Sequence, residues 1–60
     1  MNNLKRIMKE KKISPFALAV DTGYSISSIY HISQNKNVPS LLKARDIAEY
    51  LGVTDKEIWP

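Results

Sequence analysis

Apolar residues along this chain recur at helical spacing, and no stretch reads as a strand. Leu4, Ile7 and Met8 follow the i, i+3, i+4 rule, so the chain opens with an amphipathic helix that Asn2 or Asn3 can cap. Ser14-Pro15 is a second helix start, a capping hydroxyl followed by proline at the first helical position. That helix is short, because Gly23 can take the left-handed conformation that ends it. Ser25 caps a third helix. Advancing 100° per residue from Ile26 brings Ile29 and Ile32 together with Ser28 and Ser33 beside them, and puts Ser27, Tyr30, His31 and Gln34 on the opposite side. Asn35 suits a left-handed exit, and 36–39 is a loop. Ser40 opens a fourth helix with Leu41, Ala44, Ile47, Ala48 and Leu51 on one face, and Gly52 closes it. Thr54 to Glu57 reads as a capping box for a last short helix carrying Ile58 and Trp59, stopped by Pro60. The pattern predicts an all-α fold, with residues 1–60 as one domain.

The second and third helices give the pattern its functional content. Two short helices joined through a glycine, the second with a wholly hydrogen-bonding outer face, form a helix-turn-helix. A major groove admits one α-helix, and the outward side chains of that helix must hydrogen-bond to base edges. The helix before it must hold it at a fixed angle, which calls for a tight turn and an apolar inner face.

Composition narrows the alternatives. A chain of 60 residues buries a small core, and with no cysteine it has neither a disulfide nor a thiolate for metal or catalysis. His31 is the only histidine, so a histidine metal site or a serine-type triad lacks its second half. No carboxylate pair, nucleophile–base pair or phosphate-cradling glycine loop can be assembled, so an enzyme is not expected, and no cofactor is called for. No apolar run has the length of a membrane span and no secretory segment follows Met1, so the cytoplasm is the expected compartment. The net charge is +3, unevenly spread: +5 up to Lys43 and −2 from Ala44 onward. A basic end on a small domain suits a polyanion, although Lys5, Arg6, Lys9 and Lys11 also fit an ordinary solvated face.

The ordered set Leu18-Ala19, Gly23-Tyr24-Ser25, Ile29, Ile32, Lys36 to Pro39-Ser40, Ile47-Ala48, Leu51-Gly52-Val53 and Glu57-Ile58-Trp59 resembles the Cro and lambda-repressor class, the XRE-like helix-turn-helix family. The resemblance runs from about Leu4 to Trp59. It implies a compact five-helix domain of lambda-repressor type, with the third helix in the major groove, the second across the backbone, and dimers on two half-sites. The chain departs from the family pattern at several places. Pro15 stands where the family usually has a phosphate-clamping glutamine, which leaves the N–H groups of Phe16 and Ala17 for that role. Lys12 and Asn35 stand where glycines are usual. Met8 and Ser33 replace an arginine and a glutamate that often pair. Losing both charges together is coherent, since a lone buried charge costs several kcal/mol whereas replacing a pair can be neutral.

These arguments select Ile26, Ser27, Tyr30 and His31 as base-reading residues. Phe16, Ser25, Ser28, Gln34, Lys36, Asn37 and Lys43 are the candidates for phosphate contact. Ile26 can touch a thymine methyl or be partly buried. Tyr24 and Tyr50 are expected to pack, and Trp59 to be a core lid or a dimer contact. The expected function is a sequence-specific duplex-DNA-binding transcriptional regulator, a phage-type repressor or Cro-like protein, acting as a homodimer at least on DNA. The alternative is a protein-interaction module on the same fold, such as an antitoxin-like or antirepressor-binding domain with a protein partner.

Overall fold

The computed structural model describes residues 2–60. Five helices follow in chain order: α1 (Leu4–Glu10), α2 (Pro15–Thr22), α3 (Ile26–Ser33), α4 (Leu41–Leu51) and α5 (Asp55–Ile58), with no strand among the described residues.

Each start has a local cause. Ser14, Ser25, Ser40 and Thr54 hold extended backbone, and each hydroxyl accepts the N–H three residues on, from Ala17, Ser28, Lys43 and Glu57. At Thr54 the Glu57 carboxylate also accepts the Thr54 N–H at 2.6 Å, completing the expected box. The start of α1 divides the work between two asparagines. Asn3 is the boundary residue, but Asn2 Oδ1 accepts the Leu4 N–H at 3.0 Å. Asn3 is thereby free to donate its Nδ2 to Glu57 O at 3.0 Å and its backbone N–H to Ile58 O at 2.8 Å, tying α1 to α5.

The ends repeat one device. Lys12, Asn35 and Gly52 lie at φ of 57°, 61° and 72°. The next residue in each case bonds back five positions: Ile13 N–H to Met8 O, Lys36 N–H to His31 O, and Val53 N–H to Ala48 O. This reversal satisfies carbonyls left free at a helix end. Gly23, at φ 81°, closes α2 with a simpler bond to Ala19 O and sets the turn into α3.

The core gathers Leu4, Ile7 and Met8 of α1, Leu18 and Ala19 of α2, Ile29 and Ile32 of α3, Ile47, Ala48 and Leu51 of α4, and Ile58 of α5. Ile13, Tyr24, Val53 and Trp59 pack on its margin. Among the described residues no polar or charged side chain is fully buried. Two expectations need correction. Leu41 is 67% exposed and lines a surface groove instead of joining the α4 core face, because no core side chain packs over it. Trp59 follows α5 instead of belonging to it, half-buried against the core.

Met8 is 4% exposed, within a cluster that includes α3 residues, while Ser33 is half-buried at the end of α3 and donates its hydroxyl to Tyr30 O at 2.8 Å. Met8→Arg should therefore cost roughly 3 kcal/mol by burying an unpaired charge. Adding Ser33→Glu should return part of that loss in urea denaturation; a double variant no more stable than Met8→Arg alone would show that the two positions are not coupled.

Candidate nucleic-acid interface

The outer face of α3 is hydrogen-bonding along its length. Ile29 and Ile32 are buried, while Ser27, Tyr30, His31 and Gln34 are exposed, so the rotation inferred from periodicity is the one the helix adopts. Among the described residues, Ser27, Tyr30, His31 and Gln34 make no side-chain hydrogen bond, which leaves their donors and acceptors open to a ligand. Ile26 opens the helix at 40% exposure, neither buried nor free.

A second group surrounds the first turn of α3. The Ser25 hydroxyl accepts the Ser28 N–H at 3.1 Å and keeps its own hydrogen to donate. Lys43, on α4, reaches back so that Nζ lies 3.4 Å from Ser28 Oγ and 4.7 Å from the centre of the Tyr24 ring. Ser25, Ser28 and Lys43 thus converge from two elements on one corner. Lys36 and Asn37 are exposed in the loop after α3, beyond the opposite end of the helix. Phe16 lies on the first turn of α2, and its N–H has no acceptor among the described residues. The Ala17 N–H, by contrast, is not available as expected, since it donates to the Ser14 hydroxyl at 3.1 Å. The proline start that displaces the usual glutamine thus also commits one of the two amides left in its place.

The sequence comparison decides what this face belongs to. Residues 3–59 match the Cro/C1-type HTH DNA-binding domain. The chain belongs to the Cro/C1-type family of helix-turn-helix DNA-binding domains. No curated protein matches it closely. In this Cro/C1-type domain the glycine substitutions keep the backbone of their turns, since Lys12 and Asn35 both adopt left-handed φ. The fold is that of the lambda-repressor class, and no described helix is long and apolar enough to cross a membrane. Nor does any group of three or more His, Asp or Glu gather as a metal site among the described residues.

Two ties around the interface were not foreseen from sequence. Tyr24 OH donates to Asp46 Oδ2 at 2.6 Å, and Tyr50 OH donates to Asp21 Oδ2 at 2.5 Å. Both join the α2 and turn region to α4, with the partners exchanged: one tyrosine precedes α3 and the other lies on α4. Residue type alone gives no signal for these pairs, which lie 22 and 29 positions apart. The unpartnered apolar surface was also unforeseen. Val38 is 92% exposed, and with Pro39, Leu41, Ala44, Asp55 and Trp59 it lines a shallow groove.

The carboxylate acceptors, together with burial and the nearby negative charge, push both phenols above the ordinary tyrosine value of 10.0. A folded value above the unfolded one means that the bonds contribute fully below about pH 10 and are lost as pH rises through the folded value. The stability of the domain should therefore decline as pH rises above about 10 and through the raised values of the two phenols. A Tyr24→Phe/Tyr50→Phe variant, less stable at neutral pH, should show a shallower decline in chemical denaturation. Parallel curves would show that these bonds do not hold the helices.

Proposed function

We propose that this domain is a sequence-specific transcriptional regulator, a phage-type repressor or Cro-like protein, that lays α3 in the major groove of duplex DNA. The observation that carries the reading is the exposed, internally unbonded row Ser27, Tyr30, His31 and Gln34 opposite buried Ile29 and Ile32. Ser27 lies in the first turn, where a recognition helix meets base edges. Tyr30 and His31 lie one turn later and each offers a donor and an acceptor. Ile26, Ser27, Tyr30 and His31 are the base readers. Phe16 through its N–H, Ser25, Ser28, Gln34, Lys36, Asn37 and Lys43 are the phosphate contacts. Action on DNA is consistent with the cytoplasm as the expected compartment.

Tyr30→Ala and His31→Ala should leave thermal stability nearly unchanged, and each should relax base preference at one position by about 1–3 kcal/mol. Lys36→Ala should weaken binding to all sequences alike and flatten the salt dependence that counterion release imposes. Selection of bound sequences from a random duplex pool, followed by titration at several salt concentrations, reads all three. Salt-insensitive, unselective DNA binding would overturn the reading and favour a protein-interaction role on this fold.

The active species on DNA is a homodimer. A single module of this size buries roughly 600–1,000 Å² on DNA, which limits site length. The apolar groove at Val38, Leu41 and Trp59, at the end of the loop that follows α3, is the surface that two copies would bury against each other. The contact thus centres on Val38 and Leu41, with the half-buried Trp59 as its floor. Selected sites should be palindromes with half-sites about one helical turn apart. Val38→Glu with Leu41→Glu should leave the folded monomer intact and reduce occupancy to one half-site in footprinting. Protection of a single half-site by the unmodified protein would exclude the dimer.

A further inference from the structure

Beside the polar row of α3 lies a corner of the opposite character. Phe16 on α2 is 65% exposed, and Ile26, which opens α3 next to Ser27, is 40% exposed. The two line one shallow depression, whose other walls are Ala19, Val20, Gly23 and Tyr24. Large apolar side chains from successive helices thus meet in the open, at the N-terminal end of the helix that carries the polar face.

The corner has almost nothing with which to form hydrogen bonds. Phe16, Ala19, Val20, Gly23 and Ile26 carry no polar side-chain atom. The only hydroxyl in the lining, that of Tyr24, already donates to Asp46. Pro15, which precedes Phe16, lacks even a backbone N–H. Apart from the Phe16 N–H and the acceptor side of the Tyr24 hydroxyl, a base edge arriving here meets apolar contact. In the major groove three of the four bases present only donors and acceptors, whereas thymine adds a C5-methyl group. Every base placed here gives up hydrogen bonds to water, and thymine alone recovers part of that loss by burying its methyl group.

We propose that Phe16 and Ile26 form an apolar corner that receives the 5-methyl group of a thymine, and so specify thymine at the base pair next to the one met by Ser27. The inference rests on the reading of α3 as the groove-bound helix, and it names the ligand chemistry for the first residue of that helix. It also gives Phe16 a role beyond its amide. Phe16 lines the depression from α2 and Ile26 from α3, so a methyl group seated there is contacted from both helices. Continuity with the polar row of α3 argues for DNA as the occupant in preference to a protein. Ile26 and Ser27 are consecutive, and a partner seated on one would crowd the other.

The test uses the highest-affinity duplex from random-pool selection and replaces its thymines one at a time with deoxyuridine, which removes only the methyl group. One position in each half-site should lose about four-fold in affinity, the value expected from exposing one buried methyl. Loss of the methyl should cost Ile26→Ala and Phe16→Ala proteins little at that position, while every other uracil substitution affects them as it affects the unmodified protein. Circular dichroism confirms that the variants are folded, and the uracil series on the unmodified protein needs no variant. Specific binding indifferent to every uracil substitution would overturn the apolar corner while leaving α3 in the groove. Sensitivity that persists unchanged in both variants would assign the methyl to other residues and overturn it equally. Absence of specific duplex binding would overturn this inference together with the reading beneath it.

Discussion

Eight residues are too few for a helix to hold itself in water, so α3 exists only while Ile29 and Ile32 are buried. Everything the domain offers to a ligand depends on that burial. The two isoleucines sit in a cluster to which all five helices contribute, with Leu4, Leu18, Ile47 and Ile58 as its other fully enclosed members. Because the cluster is apolar throughout, it fixes which face of α3 turns outward but is less exacting about angle. Apolar contacts are non-directional, and a helix can slide or roll by a few degrees on them at little cost.

The angle is set at the margin, by directed bonds. Gly23 turns the chain from α2 into α3 with a left-handed φ that a β-carbon would strain. Tyr24 and Tyr50 then fasten α4 to the α2–α3 region through two carboxylates. At the far end, Asn2 Nδ2 donates to Ile32 O at 2.8 Å and to Asn35 Oδ1 at 3.0 Å, so the last turn of α3 and its exit loop are held by the chain's second residue. The polar ties surround an apolar centre. The centre supplies the free energy of folding, and the ties supply the geometry.

That division explains how much was legible in the sequence. Caps and stops are local chemistry, so Ser14, Ser25, Ser40, Thr54, Gly23 and Gly52 gave their roles to inspection, and Asn35 did so through its tolerance of positive φ. The rotation of α3 was legible because two isoleucines three apart leave only one inward face. Family membership and fold followed from the same ordered residues. The exposure of Leu41 was not legible, since helical spacing says which side a residue is on and not whether a neighbour is there to cover it. The Ala17 amide is consumed because Ser14, as a cap, requires it. The tyrosine–aspartate bonds, the sharing of duties between Asn2 and Asn3, and the meeting of Phe16 with Ile26 all depend on where helices lie relative to one another. Spacing along one helix carries no record of that. Of the residues proposed for base and phosphate contact, Ser28 and Lys43 are half-buried and the others exposed, and their assignment is a proposal that rests on this surface together with the resemblance.

Lys36 and Lys43 carry the same charge in different states of freedom. Lys36 extends from an exposed loop, whereas Lys43 is already drawn over the Tyr24 ring and toward Ser28. A flexible ammonium gives up rotational freedom when it settles on a phosphate, and immobilising a rotamer-rich side chain costs about 0.5–1.5 kcal/mol. For a lysine already held, most of that entropy has been surrendered during folding. In the proposed phosphate role, Lys43 therefore acts as a preorganised contact and Lys36 as an adaptable one. Two equal charges would then contribute unequally to affinity, and the more restrained of them would also discriminate more sharply between phosphate positions.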